Sequence, residues 1–157
     1  DRIESVLSIE KNYDLYNSFQ KIVNLNKFLS TEEGLKLISI LKRVRRILYL
    51  EEKKVGINYN GQVKKSLFKS FEEKELYDAC LKNSTLIENA IQAEQYEKAL
   101  KYFQDIKIQL DNFFNNVLVN EKDLDIKTNR LNLLSLIRNS FAEYADFSLI
   151  DTGNENK

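Results

Sequence analysis

The segment KRVRR, which begins at Lys42, places four cations in five positions and is the strongest candidate in the chain for binding chemistry. If Val44 faces the core of a helix, Lys42 and Arg46 project to the opposite face. Arg43 and Arg45 then lie about 100° to either side of Val44. Guanidinium groups suit bidentate contacts with phosphates, so one interpretation is a phosphate-binding surface. The alternative is structural, because cations near a helix C-terminus gain about 0.3 to 1 kcal/mol each from the helix dipole.

Two further arginines lie within the apolar stripe of a second helical segment, TNRLNLLSLIRNSF. At 100° per residue, Arg130 and Arg138 fall within about 60° of Leu134, on the side that also carries Leu131 and Phe141. A buried cation without a partner costs several kcal/mol. If these side chains are inside, the fold must therefore supply carboxylates or carbonyls to meet them.

Three aspartates are available as partners for these arginines. Asp111 lies on the edge of the preceding helix, and Asp123 and Asp146 lie at the two ends of the arginine-bearing helix. Structural ion pairs are the expected arrangement. Direct contact of the arginines with a ligand is the alternative.

Asparagines occupy the polar side of the same helix, at Asn129, Asn132 and Asn139. A carboxamide offers both a donor and an acceptor, so these side chains are able to hydrogen-bond the edges of nucleic-acid bases. Solvation of an ordinary polar face is the commoner use of such residues. Both interpretations stay open from the sequence.

The sequence predicts no active site and no metal site in this chain. It contains no histidine, and the segment GINYNG lacks the spacing of a phosphate-binding loop. Three pairs of adjacent glutamates, at residues 32–33, 51–52 and 72–73, are interpreted as solvated helix termini. Cys80 is predicted to be a small core hydrophobe, and a single cysteine favours a reducing compartment.

Composition favours an all-α fold that positions these groups. The 157 residues include no proline and four glycines, which predicts a single bundle of about five to six helices. Residues 1–150 should form one domain, followed by a flexible tail at 151–157. The net charge is zero, so any RNA binding must be local. No apolar run approaches the roughly 20 residues of a membrane span, and the first residue, Asp rather than Met, suggests a piece of a longer polypeptide.

Apolar spacing and capping residues predict where the helices lie. Capping boxes are expected at Ser30 with Glu33 and at Ser70 with Glu73. The main loop is predicted at KKVGINYNGQVKK, which holds two of the four glycines. The fourth and fifth helices should form an antiparallel hairpin. The predicted helices cover residues 3–9, 14–29, 31–50, 71–93, 96–117 and 123–144.

The segment LDNFFNNVLVNEKDLDIKTNRLNLLSLIRNSFAEYADFSLI closely resembles the C-terminal end of the beta subunit of bacterial glycyl-tRNA synthetase. The family pattern in this stretch begins with an Asp-x-Phe-Phe run and continues through an acidic loop, Asn-Arg-Leu, a Leu-Arg pair and Ala-Asp-Ile-Ser-Leu-Leu. The matching residues align without a gap: Asp111, Phe113, Phe114, Val117, Val119, Asn129, Arg130, Leu131, Arg138, Phe141, Ala145, Asp146, Ser148 and Leu149.

A second block, LKRVRRIL, is similar to the family's Asn-Lys-Arg-Val-x-Asn-Ile-Leu. The order and spacing of the two blocks agree, so the resemblance covers about residues 1–150. Several positions depart from the pattern, among them the loop of Glu121, Lys122 and Asp123, which is more mixed in charge than the family's acidic loop. Leu41 and Arg46 stand where the family has asparagines, and Asn115 replaces an acid. The added arginine indicates more phosphate contact than is usual in the family.

The resemblance implies a helical anticodon-binding domain of the DALR type, without catalytic residues. The full enzyme would be a cytoplasmic alpha-two, beta-two assembly in which the alpha subunit uses ATP and magnesium. The partners would be glycine tRNA, the alpha subunit and the rest of the beta chain, with no membrane or DNA. The resemblance implies that the bases read are the second and third of the anticodon, both cytosine in glycine tRNAs. The candidate tRNA-binding residues are Lys42, Arg43, Arg45, Arg46, Asn129 and Asn132.

Two other functions are weighed against this one. A helical protein-interaction module would show an exposed apolar patch and no affinity for glycine tRNA. An enzyme that acts on RNA would need an acid, base or metal cluster, which a chain without histidine does not visibly supply. The sequence therefore favours a binding domain over an enzyme.

Overall fold

The computed structural model describes residues 2–7 and 15–150. Within them the chain forms six α-helices and two short 3-10 turns, with no strand, which confirms the all-α prediction. The 3-10 turns are Lys65–Leu67 and Phe147–Leu149. The predicted tail and the end of the predicted first helix lie outside the described residues. The helices are α1 Arg2–Leu7, α2 Leu15–Leu29, α3 Glu32–Val55, α4 Phe71–Gln92, α5 Tyr96–Asn116 and α6 Leu124–Ala142.

The core lies where α5 packs between the other helices. As predicted, α4 and α5 pack as a hairpin, and α5 also contacts α2 and α3. Against this group α6 packs on α3 and α4. Phe103 of α5 stacks on Phe141 of α6 with ring centroids 4.1 Å apart. Cys80 is buried, and burial raises the pKa of its thiol to about 12, so it is a core side chain as expected.

Two helix starts show where local sequence signals succeed and fail. The capping box of Ser70 with Glu73 is present at the start of α4. The predicted box of Ser30 with Glu33 is wrong, because Thr31 caps α3 by accepting a hydrogen bond from the N–H of Gly34 at 3.1 Å. The Ser30 hydroxyl instead donates to the carbonyl of Asn26 at 2.9 Å. The turn from α2 to α3 is so tight that Ser30 closes the last turn of α2, where both its N–H and its hydroxyl donate to Asn26.

The predicted end of α3 at Leu50 is also wrong. The helix continues to Val55 and ends at Gly56, which adopts the left-handed conformation with a φ of 70°. The N–H of Gly56 donates to the carbonyl of Glu52 at 2.8 Å. KRVRR therefore lies more than two turns before the end of the helix, beyond the reach of the C-terminal dipole. The structural alternative for this cluster loses its physical basis.

Candidate nucleic-acid interface

Four cations of α3, at Lys42, Arg43, Arg45 and Arg46, form what we call the α3 basic surface. Val44 between them is buried, and the three arginines are exposed. No carboxylate in the described part of the chain forms an ion pair with these arginines. Lys42 is half-buried, whereas Arg46, which was placed on the same face of the helix, is exposed. The Lys42 side chain borders a cavity between α3 and α6. The helical period of α3 alone does not predict this cavity.

One arginine of this surface is held in place by an aromatic ring. The guanidinium carbon of Arg43 lies 4.1 Å from the ring centroid of Phe114 on α5. Stacking on a ring face leaves the N–H groups at the edge of the guanidinium plane able to donate to an anion. Phe114 therefore orients Arg43 before any ligand arrives.

A cavity of about 250 Å³ adjoins the α3 basic surface, between α3, α6 and the turn that follows α6. Lys42, Arg45 and Arg138 line it together with Asp146, and apolar side chains complete its walls. We call it the cationic cavity. The three cations outnumber the one carboxylate, so the cavity has an excess of positive charge beside its apolar walls. Such a lining suits a ligand that combines an anion with a flat ring, as a nucleotide does.

Arg130 lies inside the domain and is paired with glutamates. It is 5% exposed, and its Nε donates to Glu73 at 2.8 Å. Its Nη1 donates to the carbonyl of Leu118 at 2.7 Å and lies 3.5 Å from Glu121. Arg130 therefore ties α6 to the start of α4 and to the loop between α5 and α6.

Arg138 is half-buried and connects α6 to α3. Its Nη1 lies 3.1 Å from both carboxylate oxygens of Glu52, and its Nη2 donates to the hydroxyl of Ser135 at 3.1 Å. Glu52 also accepts a hydrogen bond from the N–H of Tyr59 at 3.1 Å. One carboxylate thus joins an arginine of α6 to the main loop.

The predicted aspartate partners of the two arginines are corrected by this geometry. Asp111 pairs with Lys107 on its own helix at 2.6 Å, and Asp123 caps the start of α6. Asp146 lines the same cavity as Arg138, but the carboxylate that Arg138 meets is that of Glu52. The carboxylates that meet the arginines come from α3, α4 and the loop before α6. Sequence reasoning missed them because it used acids close to the arginines along the chain.

The six glutamates at residues 32–33, 51–52 and 72–73 were predicted to be solvated. Three of them, Glu51, Glu52 and Glu73, are not. Glu51 is buried and accepts from Lys127 and Lys54, both at 2.7 Å; hydrogen bonds from these lysines hold its pKa below its usual range. Glu73 is 0% exposed, and burial by itself would raise its pKa. Hydrogen bonds from Arg130 and from the backbone of residues 69–70 outweigh burial and leave that pKa lowered. The extension of α3 to Val55 carries residues 51–52 onto α6.

The main loop folds back over the face of α6 that was predicted to be polar. Asn129 accepts from the N–H of Lys64 at 2.7 Å and donates to the carbonyl of the same residue at 3.1 Å. It is 3% exposed, so it is not available to a ligand. Asn132 is half-buried and accepts from the N–H of Gly61 at 3.1 Å, whereas Asn139 is exposed. The prediction of a solvent-facing asparagine row is right for Asn139 and wrong for Asn129.

Comparison with known proteins identifies the family. Residues 40–152 match the DALR anticodon binding domain. The chain belongs to this family. It is also 32% identical over 151 residues to the glycine-tRNA ligase beta subunit of Paracoccus denitrificans, covering 96% of the chain and 22% of that relative. The same beta subunit of Persephonella marina is 33% identical over 152 residues, or 97% of the chain and 20% of the relative.

The chain spans about a fifth of the length of the curated relatives it matches. The family match confirms the resemblance read from the sequence and does not favour a protein-interaction module. It begins within α3 and includes the α3 basic surface, the cationic cavity, the main loop and α6. The geometry described above therefore lies within the matched region.

Two further observations concern other kinds of site. Among the described residues, no group of three or more acidic, cysteine or histidine side chains is arranged to hold a metal ion. No helix in the same part of the chain has the length and apolar character needed to cross a bilayer.

Proposed function

We propose that this DALR domain is the tRNA-binding end of a glycine-tRNA ligase beta subunit, and that its α3 basic surface holds the anticodon arm of glycine tRNA. The observation that carries the proposal is the set of three exposed arginines without a carboxylate partner in the described part of the chain, beside the cationic cavity. The chain has no net charge, so this concentration of positive charge is local. A local cationic surface next to a cavity fits one defined stretch of RNA better than a non-specific coat.

Binding energy, rather than bond chemistry, is the contribution of this domain. Basic side chains position the RNA backbone, and polar or aromatic groups read unstacked bases. In the proposed alpha-two, beta-two enzyme of the cytoplasm, ATP and magnesium bind the alpha subunit, which forms glycyl-adenylate and charges the tRNA. The segment described here supplies no catalytic residue to that reaction.

The direct test is a calorimetric titration of the full-length protein with glycine tRNA and with a tRNA altered at the second and third anticodon bases. We expect tight binding to the first and at least tenfold weaker binding to the second. Equal affinity for both tRNAs would mean that the arginines attract RNA without selecting it. Absence of binding to either would refute the proposed function.

A further inference from the structure

A second cleft lies between the main loop, α4 and α6, apart from the α3 basic surface. Its volume is about 190 Å³, below the roughly 300 to 1,000 Å³ of sites for drug-sized ligands, so it suits a ligand about the size of one nucleobase. Its lining includes four carboxamides, Asn60, Gln62, Asn132 and Asn139, and the ring of Tyr77. We call it the amide cleft. No acidic or basic side chain lines it.

The loop that forms one wall of the amide cleft is held by three side chains, and only one of them, Asn132, also lines the cleft. Glu52, Asn129 and Asn132 accept hydrogen bonds from the backbone of residues 59, 64 and 61. Asn60 and Gln62 lie between these anchored positions, and their side chains have no hydrogen-bond partner among the described residues. The same is true of the side chain of Asn139. A fixed backbone that presents free carboxamides lowers the entropy cost of binding a polar ligand.

The orientation of one carboxamide in the cleft is fixed by the loop. The N–H of Gly61 donates to Oδ1 of Asn132, so the Nδ2 donor of Asn132 is left for another acceptor. A Cβ atom at residue 61 would lie 2.9 Å from that Nδ2. Glycine at this position therefore allows the amide to sit against the loop. The cleft has a donor of fixed direction and other carboxamides that are able to rotate.

An aromatic wall completes the cleft. The ring of Tyr77 packs edge-on against Phe68 with centroids 5.7 Å apart, and the ammonium of Lys65 lies 5.1 Å from its centroid. Val63 and Leu136 add apolar surface. A flat apolar wall with converging donors and acceptors is the environment in which proteins bind splayed-out RNA bases.

The amide cleft adjoins the cationic cavity through one contact. Ser135 lines the amide cleft, and its hydroxyl accepts from Arg138, which lines the cationic cavity. A site for uncharged, hydrogen-bonding rings thus lies beside a site for anions on the same helix.

We propose that the amide cleft binds one unpaired base of the tRNA and reads it through its hydrogen-bonding edge. The inference rests on the proposed function, since it assigns the base-reading role to a part of the same domain. The volume admits one nucleobase and not two stacked ones. The Asn132 donor meets a ring acceptor, and the rotatable carboxamides of Gln62 and Asn139 meet the exocyclic group. The cleft discriminates between bases because a base with a different hydrogen-bonding edge leaves these carboxamides unpaired.

The test uses the full-length protein with its partner subunit, glycine tRNA, and three transcripts in which one anticodon base at a time is replaced by a purine. The variants are Gln62→Ala and Asn139→Ala, with Asn89→Ala, an exposed α4 position outside the cleft, as the matched control. We expect each cleft variant to bind glycine tRNA roughly tenfold more weakly. The preference of each cleft variant for glycine tRNA over one of the three altered transcripts should fall below twofold. The control should retain both affinity and preference.

A third variant separates base reading from folding. In Gly61→Ala the new methyl group displaces the Asn132 amide, which is the end of a flexible side chain, so the melting temperature should stay within about 2 °C. Selectivity against the same transcript should nevertheless be lost.

The outcomes distinguish the two proposals. Unchanged selectivity in all three variants, or an equal loss of affinity for every transcript, would overturn the base-reading cleft and leave the proposed function standing. Failure of the unmodified protein to prefer glycine tRNA would overturn the proposed function and this inference together.

Discussion

The arginines of α3 and the arginines of α6 are the same residue type on neighbouring helices, yet their surroundings differ. Arg130 and Arg138 meet glutamates, a carbonyl and a hydroxyl of the domain itself. Arg45 and Arg46 on α3 face the solvent without a carboxylate partner in the described residues. The comparison shows that the residue type alone does not indicate whether a guanidinium stabilises the fold or awaits a ligand. The positions of the carboxylates decide it.

This division of charge has a consequence for the whole surface. Glu51, Glu52 and Glu73 all pair with cations of α6, so the acids of α3 and α4 neutralise charge inside the domain. The three arginines of the α3 basic surface are left exposed although the chain as a whole has no net charge. A ligand that approaches within about 10 Å, the screening length at 0.1 M salt, encounters that local charge.

The largest effect is expected for Arg130→Ala. Removal of the guanidinium leaves Glu73 charged and buried without its cation, at a cost of about 3 to 5 kcal/mol in unfolding free energy. Urea unfolding of the chain measures this loss. Arg45→Ala is the matched control and should change stability by less than about 0.5 kcal/mol. Native stability combined with poor tRNA binding in Arg130→Ala would place Arg130 with the binding arginines instead.

Lowering the pH should weaken the ion pair of Arg130 and Glu73, because it protonates the Glu73 carboxylate. The folded-state pKa of Glu73 is lowered, whereas its unfolded value is about 4.3. The pair's contribution is therefore complete above about pH 4.3 and is lost as the pH falls through the folded-state pKa. The loss should be smaller than in Arg130→Ala, because Arg130 keeps the carbonyl of Leu118. Unfolding midpoints recorded from pH 7 down to pH 3 test this, and a Glu73→Gln variant should show a shallower decline.

Arg138→Ala should have an intermediate effect. Arg138 is half exposed, so solvent screens its pair with Glu52, and we expect a loss of about 1 kcal/mol. Because Arg138 also lines the cationic cavity, tRNA affinity should fall at the same time. Urea unfolding and tRNA titration of one preparation separate the two roles. A change in stability without a change in affinity would assign Arg138 wholly to the fold.

The smallest change in stability is expected for Arg43→Ala and Arg46→Ala. Each should alter unfolding by less than about 0.5 kcal/mol. In the full enzyme each should raise KM for the tRNA and leave adenylate formation unchanged. The slope of log affinity against log salt should decrease by roughly 0.7 for each lost phosphate contact. Lys101→Ala, an exposed lysine of α5, is the control, and an unchanged slope in the arginine variants would remove the α3 basic surface from the binding face.

The features that the sequence predicted well are those set by residues close together along the chain. The helical class, the α4–α5 hairpin and the capping box of Ser70 depend on composition, on the 3.6-residue period and on neighbours three positions apart. The family resemblance also depends on local blocks of residues. The end of α3 was predicted at Leu50, just after the apolar stripe ends at Leu48, whereas the stop signal, Gly56, lies further on.

The sequence by itself determined that the domain is helical, that positive charge is concentrated in KRVRR, and that the stripe of α6 contains two arginines. The tertiary structure alone decided what those arginines meet. Glu73 is 57 residues from Arg130 along the chain, and Glu52 is 86 residues from Arg138. A helical period states which way a side chain points from its own axis. It carries no information on which other helix lies there, since that is fixed by the packing of the whole core.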